Sequence, residues 1–291
     1  MHTILDIITK THAFFEERSI DKAKLNAELL IAHALGVKRM DLYMQAQRPL
    51  EERELEEIRP LVRRRSKREP LQYVIGETDF WKSTLICRPG ALIPRPETEE
   101  LIEHTLEHWK QASESAPKRI IDLGTGTGAI AIALAMEFPE AEVTATDLSE
   151  EALLLAKENA EKNGVENQIQ FISSNWFSDV FGRFDLIISN PPYLTAEETE
   201  SAEEEVKTFE PTQALTGADK DGAGDLKQIL SESLKYTDLD APAHLIALET
   251  GIAQHKALAE HSEAQGWKHA LSRQDLQDRD RFFFASNTNA F

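Results

Sequence analysis

Residues 190 to 193 read Asn-Pro-Pro-Tyr and directly follow the apolar run Asp185-Leu186-Ile187-Ile188-Ser189. A polar amide and two rigid prolines therefore stand where a buried strand should end. Proline has no backbone N–H and holds φ near about −65°, so Pro191 and Pro192 stop the strand and set the directions of the carbonyls around them. Asn190 adds a side-chain carbonyl. Together with the carbonyl of Pro191 it can accept both hydrogens of one substrate –NH₂ group, while Tyr193 offers a flat face to a planar group. Asn-Pro alone reads as a strand-to-loop turn. The four residues in this order after a strand point instead to a site that grips an amino group, with Asn190, Pro191, Pro192 and Tyr193 as its catalytic candidates.

A second cluster carries a different chemistry. Asp122-Leu123-Gly124-Thr125-Gly126-Thr127-Gly128 lies between a short apolar run and a helical segment. Glycines there let the backbone turn tightly and approach a ligand where a Cβ would clash. Asp147 ends the next apolar run, where a carboxylate can accept both hydroxyls of a ribose, so the spacing fits an adenosine-containing ligand. The glycine pattern alone suits NAD as well as S-adenosylmethionine. Asp122, two residues before the first glycine, suits a cationic, zwitterionic ligand better than a pyrophosphate. The Asn190 loop, for which hydride transfer has no use, points the same way. Trp176 is placed to flank an adenine ring, and core packing explains it equally well.

These residues need elements to position them. Arg119–Leu123, Val143–Thr146, Ile169–Ile172, Phe184–Ile188 and His244–Leu248 read as buried strands, separated mostly by helical segments such as Ala152–Lys162 and Leu226–Leu234. That alternation predicts an α/β fold with a doubly wound, mostly parallel sheet. Trp267–Leu271 and Arg281–Ala285 predict a terminal hairpin on its edge. Before residue 75 the spacing is helical: Leu25, Leu29, Leu30 and Ala32 share a face, Gly36 is a stop, and Leu55, Ile58, Leu61 and Val62 form another stripe. Between lies a β-prone stretch rich in turn residues. The expected organisation is a helical domain over 1–75, a hairpin linker over 76–96 and a catalytic domain over 97–291.

Composition narrows the classes. The formal net charge of −19 disfavours a protein that tracks a nucleic-acid backbone over a broad surface. The one dense basic run, Arg63 to Arg68, reads as a solvated helix end or a local contact patch. The six glutamates between Glu197 and Glu205 read as a solvated segment, or as a lid because they follow Tyr193. No stretch approaches the roughly 18 apolar residues of a membrane span, and the N-terminus lacks the pattern of a secretory signal. The lone Cys87 suits a reducing cytoplasm. No metal-ligand spacing stands out.

With these residues together, the chain resembles the bacterial release-factor glutamine methyltransferases, a family similar to N6-adenine methyltransferases in its active-site loop. Asn-Pro-Pro-Tyr is shared among amino-methylating families. The narrower match comes from Glu69-Pro-Leu-Gln-Tyr-Val-Ile-Gly76, Phe80-Trp81, Leu92-Ile-Pro-Arg-Pro-Glu-Thr-Glu99, Phe209-Glu210-Pro211, Ala214-Leu215, Asp221-Gly222 and Arg279-Asp280-Arg281. Glu249-Thr250-Gly251 stands where the family usually has Glu-Ile-Gly. The resemblance implies a seven-stranded class I methyltransferase sheet. It implies that Gly124, Thr125, Gly126, Thr127, Gly128, Asp147, Trp176 and Asn190 hold S-adenosylmethionine, and that Asn190 to Tyr193 hold a glutamine of the Gly-Gly-Gln motif in peptide chain release factors. Ile93 to Thr98 would wall the site, and the helical domain would help bind the release factor. A cytoplasmic monomer without stable nucleic-acid or membrane binding is expected. The rival activity is methylation of an exocyclic amine in DNA or RNA; a silent binding protein and a dehydrogenase are weaker.

Overall fold

The first helix, α1 (Ile4–Glu16), begins in a capping box: the Thr3 side chain accepts from the Asp6 N–H while the Asp6 carboxylate accepts from the Thr3 N–H. Four more helices follow in this computed structural model, which describes residues 2–288: α2 (Ala23–Leu35), α3 (Arg39–Met44), α4 (Glu52–Arg65) and α5 (Leu71–Ile75). The chain forms two compact units. One comprises the first 77 residues together with Glu203–Phe209, and the other Thr78–Ala202 together with the chain from Glu210 onward. The hairpin thus falls with the second unit, and a segment from beyond the Asn190 loop falls with the first. Residues 289–291 of the expected catalytic domain lie outside the described residues.

In the helical unit Gly36 does end α2, at φ +63°, but the expected apolar face is rotated. Leu30 and Ala32 are buried, whereas Leu25 and Leu29 are only half-buried. Helix α2 is central, touched by α1, α3, α4 and α5, so it buries residues around most of its circumference. Asn26 and Glu28 are among them, and both are hydrogen-bonded, Asn26 to Arg65 Nε at 2.7 Å and Glu28 to Arg39 Nε at 2.6 Å. Part of the basic run is also turned inward, while Arg63, Arg64 and Lys67 stay exposed. Arg64 pairs with Glu69, while Arg65 and Arg68 both reach Glu205, at 2.9 and 2.6 Å. The end of the acidic stretch is therefore an anchor within this unit, and not a free lid.

The second unit opens with a two-stranded hairpin, β1 (Glu77–Phe80) and β2 (Ser83–Ile86). Its turn holds Trp81 at φ +54°, where the Trp81 N–H donates to Glu99 at 2.6 Å and the indole N–H to Glu137 at 2.7 Å. Then come α6 (Pro96–Ala112), β3 (Arg119–Leu123), α7 (Ala129–Glu137), β4 (Glu142–Asp147), α8 (Glu150–Asn163), β5 (Ile169–Ser173) and β6 (Leu186–Ser189). After α9 (Ala196–Ser201) the chain passes through α10 (Glu204–Phe209), which belongs to the first unit, and the second closes with α11 (Gly224–Tyr236), β7 (Leu245–Glu249), α12 (His255–Gln265), β8 (His269–Gln274) and β9 (Asp280–Ser286).

The seven strands run in the order β5-β4-β3-β6-β7-β9-β8, with β3 to β7 parallel and the final pair antiparallel. Period-two alternation divides the core between the two faces. Ile120, Leu186, Ile188, Phe282 and Phe284 pack with the apolar α7 on one side, while Ile121, Leu123, Ile187, Ile246 and Phe283 pack with α11 and α12 on the other. The chain winds from β3 to β4 and β5 in one direction and from β6 to β7 in the other. The gap between β3 and β6 is thus a topological switch point, where open α/β sheets bind ligands.

One consequence is measurable in the helical unit. Removing Glu205 leaves two guanidinium groups facing a buried gap, so Glu205→Ala should cost about 3 kcal/mol or more. It should lower the urea midpoint followed by helical circular dichroism; an unchanged midpoint would refute the anchor.

Candidate active site

Register places the site. Leu123 of β3 is level with Thr146 of β4 and Ser189 of β6, and Ser189 is level with Leu248 of β7. The next residue on each strand therefore falls in one row along the carboxyl edge: Asp147, Gly124, Asn190 and Glu249. Ser189 Oγ stitches the centre of the row by donating to the Leu123 carbonyl at 2.6 Å.

The loop from Gly124 to Gly128 is held from below and from the side. The Thr125 N–H donates to the Thr146 carbonyl at 2.8 Å. Asp147 accepts the Gly126 N–H at 2.9 Å on one oxygen and the Ser149 N–H at 2.8 Å on the other, which leaves each oxygen a further lone pair for a ligand hydroxyl. Gly124 and Gly126 sit at φ +70° and +55°, and a Cβ on Gly126 would meet open space, so there the constraint is backbone conformation. Gly128 is different: at φ +83° its missing Cβ would lie 3.1 Å from the Ala156 Cβ. It permits α7 to pack on α8 and does not line the cavity.

The cavity beside this loop has a volume of about 240 Å³ and is lined by Gly124, Thr125, Gly126, Thr127, Asp147 and Trp176 on one side and by Asn190, Pro192 and Thr98 on the other. Trp176 is placed in a way that suits both expected roles. It lines the cavity and also packs half-buried against the α11 face of the core, with its ring 3.3 Å from where a Gly124 Cβ would stand. Sequence reading missed Leu148 and Asn175, which also line the cavity. Leu148 is 69% exposed, and an apolar residue next to the candidate Asp147 was the available signal.

Asp122 corrects an expectation. It is fully buried beneath the loop and does not line the cavity; its Oδ2 accepts from Thr125 Oγ1 at 2.6 Å and from the Ala131 N–H at 3.2 Å. It shapes the glycine turn and does not face a ligand charge. Its Oδ1 has no hydrogen-bond partner.

Tyr193 and Pro191 are also placed differently. Pro191 is buried, and neither residue lines the cavity. The Tyr193 hydroxyl donates to Glu249 Oε1 at 3.0 Å, and the Arg281 guanidinium lies 5.4 Å from its ring centroid. Burial pushes the phenol above its ordinary pKa, so it remains a donor. Tyr193 therefore anchors the loop, because its ring is engaged on the protein side. Asn190 does face the cavity, and its Nδ2 donates to Thr98 Oγ1 at 3.0 Å.

Glu210, Gln254 and Gly222 join the surrounding segments to one another. Glu210, almost fully buried, accepts from the Ile93 N–H at 3.1 Å and from Arg95 at 2.6 Å. The Gln254 side chain donates to the carbonyls of Tyr193 at 2.9 Å and Asp221 at 3.0 Å. At Gly222 any Cβ would stand 2.3 Å from the Tyr193 carbonyl oxygen, so only glycine lets the two loops touch.

These residues fit an adenosine-bearing cofactor: a glycine cradle, a carboxylate with free lone pairs on both oxygens, and Trp176 with Leu148 as apolar walls. The charge of the cradle's foundation is testable. Burial pushes the Asp122 carboxyl from 3.8 up to about 7, so between those values the native state holds a proton that the unfolded chain has released. The stability that this group contributes must then fall as pH rises from about 4 to about 7, being fully present only below the unfolded pKa. The urea midpoint of the native protein should decline relative to that of Asp122→Asn across that window and level off above it. Parallel profiles would contradict the buried-proton account.

Known proteins match both units. Residues 100–248 match the family described as methyltransferase small domain, and residues 6–76 match the PrmC N-terminal domain. Among solved structures, the N-terminal domain of human METTL16 superposes with a TM-score of 0.51 at 18% identity, covering 74% of this chain and 78% of that one. A T. thermophilus 16S rRNA methyltransferase gives 0.51 at 18%, covering 72% and 49%. At such identity these likenesses establish the class I methyltransferase fold alone. Release factor glutamine methyltransferases are nearer in sequence. Those of Chlorobaculum tepidum and Yersinia pestis are 42% and 38% identical, over 73% and 90% of this chain and 75% and 91% of theirs. That of Geobacter sulfurreducens is 34% identical over 96% of this chain and 95% of its own. With this coverage of both units and the Asn190 loop beside the glycine cradle, the chain belongs to the release factor glutamine methyltransferase family.

Proposed function

We propose that this protein methylates the side-chain amide nitrogen of the glutamine in the Gly-Gly-Gln motif of peptide chain release factors, using S-adenosylmethionine. The observation that carries this reading is the placing of Asn190 beside Gly124, one residue past paired strands, so that an amide-gripping group and a cofactor cradle share one cavity. The choice of glutamine over a nucleic-acid amine rests on relatives named for release factor glutamine and agrees with the net charge of −19.

S-adenosylmethionine, held by Gly124 to Thr127, Asp147, Leu148 and Trp176, would supply an electrophilic methyl group on its sulfonium. An amide nitrogen is a poor nucleophile because its lone pair is delocalised into the carbonyl. Asn190 Oδ1, accepting an N–H of the substrate, would polarise the nitrogen and orient its lone pair. Pro192 narrows the wall beside it. As the nitrogen–methyl bond forms the sulfur–methyl bond would break, leaving S-adenosylhomocysteine; the nitrogen gives up one proton to solvent afterwards, and no strong base is required before transfer. In the same reading, residues 1–75 help recognise the release factor, 76–96 link, and 97–291 catalyse. The setting is the cytoplasm, with the enzyme acting as a monomer.

Mass spectrometry of a release factor after incubation with enzyme and S-adenosylmethionine should find one added methyl on the glutamine, and DNA or ribosomal RNA in a parallel tube should remain unmodified. Methylation of the nucleic acid alone would overturn the reading. Asn190→Ala should lower turnover by about a hundredfold or more while calorimetry shows cofactor affinity largely intact. Full activity in that variant would remove Asn190 from the mechanism.

A further inference from the structure

An asparagine amide can grip a substrate –NH₂ only if its oxygen, and not its nitrogen, faces the substrate. The two orientations have the same shape, so something must select between them. Packing alone does not, because nitrogen and oxygen are nearly equal in size.

The selection is visible in a chain of hydrogen bonds that leaves the cavity wall and ends on a fully buried carboxylate. Asn190 Nδ2 lies 3.0 Å from Thr98 Oγ1, and Thr98 Oγ1 lies 2.7 Å from Glu249 Oε2. The other oxygen of Glu249 accepts from the Tyr193 hydroxyl at 3.0 Å. Thr98 and Glu249 are 4% and 1% exposed, so water does not compete for these bonds. A carboxylate only accepts, and a threonine hydroxyl has a single proton. That proton is committed to Glu249, which leaves Thr98 Oγ1 able to present only lone pairs to Asn190. A flipped Asn190 would set its own oxygen against those lone pairs, with no proton between them.

We infer that Thr98 and Glu249 are positioning residues which fix the sense of the Asn190 amide, so that its Oδ1 is held as the acceptor for the substrate –NH₂. The inference rests on the proposed glutamine N-methylation, which assigns Asn190 that role. It also assigns a purpose to two buried residues on different elements, α6 and β7, which act through Asn190. The same polarity sets a requirement on the substrate. A group offering N–H hydrogens is accepted, whereas a carboxylate or a carbonyl in its place meets an oxygen lone pair.

Steady-state kinetics on the full chain with release factor tests this. Thr98→Val keeps the shape but removes the hydroxyl. It should lower kcat roughly tenfold or more while KM for release factor and the calorimetric affinity for S-adenosylmethionine stay near wild type, and Thr98→Ser should restore most of kcat. Glu249→Gln keeps the volume but introduces a donor that permits the reversed sense, so it should also lower kcat with little change in KM, and it serves if Thr98→Val fails to fold. Wild-type kcat in a folded Thr98→Val or Glu249→Gln variant overturns the inference. So does a loss that Thr98→Ser fails to restore and that tracks a lowered melting temperature, which marks a structural role only. If wild-type enzyme itself leaves release factor unmethylated, the functional reading fails, and the orientation argument loses its ground with it.

Discussion

The level alignment of β4, β3, β6 and β7 is the constraint on which the site depends. Because these strands are parallel and in register at their carboxyl ends, one residue past each pairing yields Asp147, Gly124, Asn190 and Glu249 in a row. A shift of one residue in any strand would turn its side chains to the opposite face and move its edge residue out of line. The register is in turn held by the apolar alternation of Ile120-Ile121, Leu186-Ile187-Ile188 and Leu245-Ile246-Ala247-Leu248, which fills both faces of the sheet. Burying the core and aligning the chemistry are thus the same event.

Three buried carboxylates build the site without lining the cavity. Asp122 ties the glycine turn to the first turn of α7 through Thr125 and Ala131. Glu210 joins the loop at Ile93 and Arg95 to the segment after α10. Glu249 links α6 to the Asn190 loop through Thr98 and Tyr193, and burial pushes its carboxyl above the ordinary range. Each satisfies donors contributed by segments far apart in sequence. A buried acceptor of this kind is costly if left unpaired, so the loops that satisfy it are not free to drift.

Much of this was legible in the chain. The strands were found because their apolar runs are short and bounded by turn residues, and the glycine cradle because glycines after a strand have few other uses. Gly36 and the Phe282-Phe283-Phe284 run fell where helix-stop and alternation rules put them. What was not legible follows one pattern. The burial of Leu25 and Leu29 depends on how many neighbours surround α2, which no spacing within α2 encodes. The inward turn of Arg65 and Arg68 depends on Glu205, some 140 residues away.

The sequence by itself determined the elements, their order, the class of fold, and the residue types able to grip an amino group and cradle a nucleoside, because local propensity and side-chain chemistry are properties of short segments. Only the tertiary structure decided which of those residues face the cavity. Asn190, Pro192 and Asp147 do. Tyr193, Gly128 and Asp122 serve from behind, although from spacing alone they were equal candidates. The physical reason is that orientation is settled by hydrogen-bond partners and packing neighbours drawn from other elements: Glu249 and Arg281 for Tyr193, Ala156 for Gly128, Thr125 and Ala131 for Asp122. A one-dimensional reading lists the donors and acceptors, and the fold pairs them.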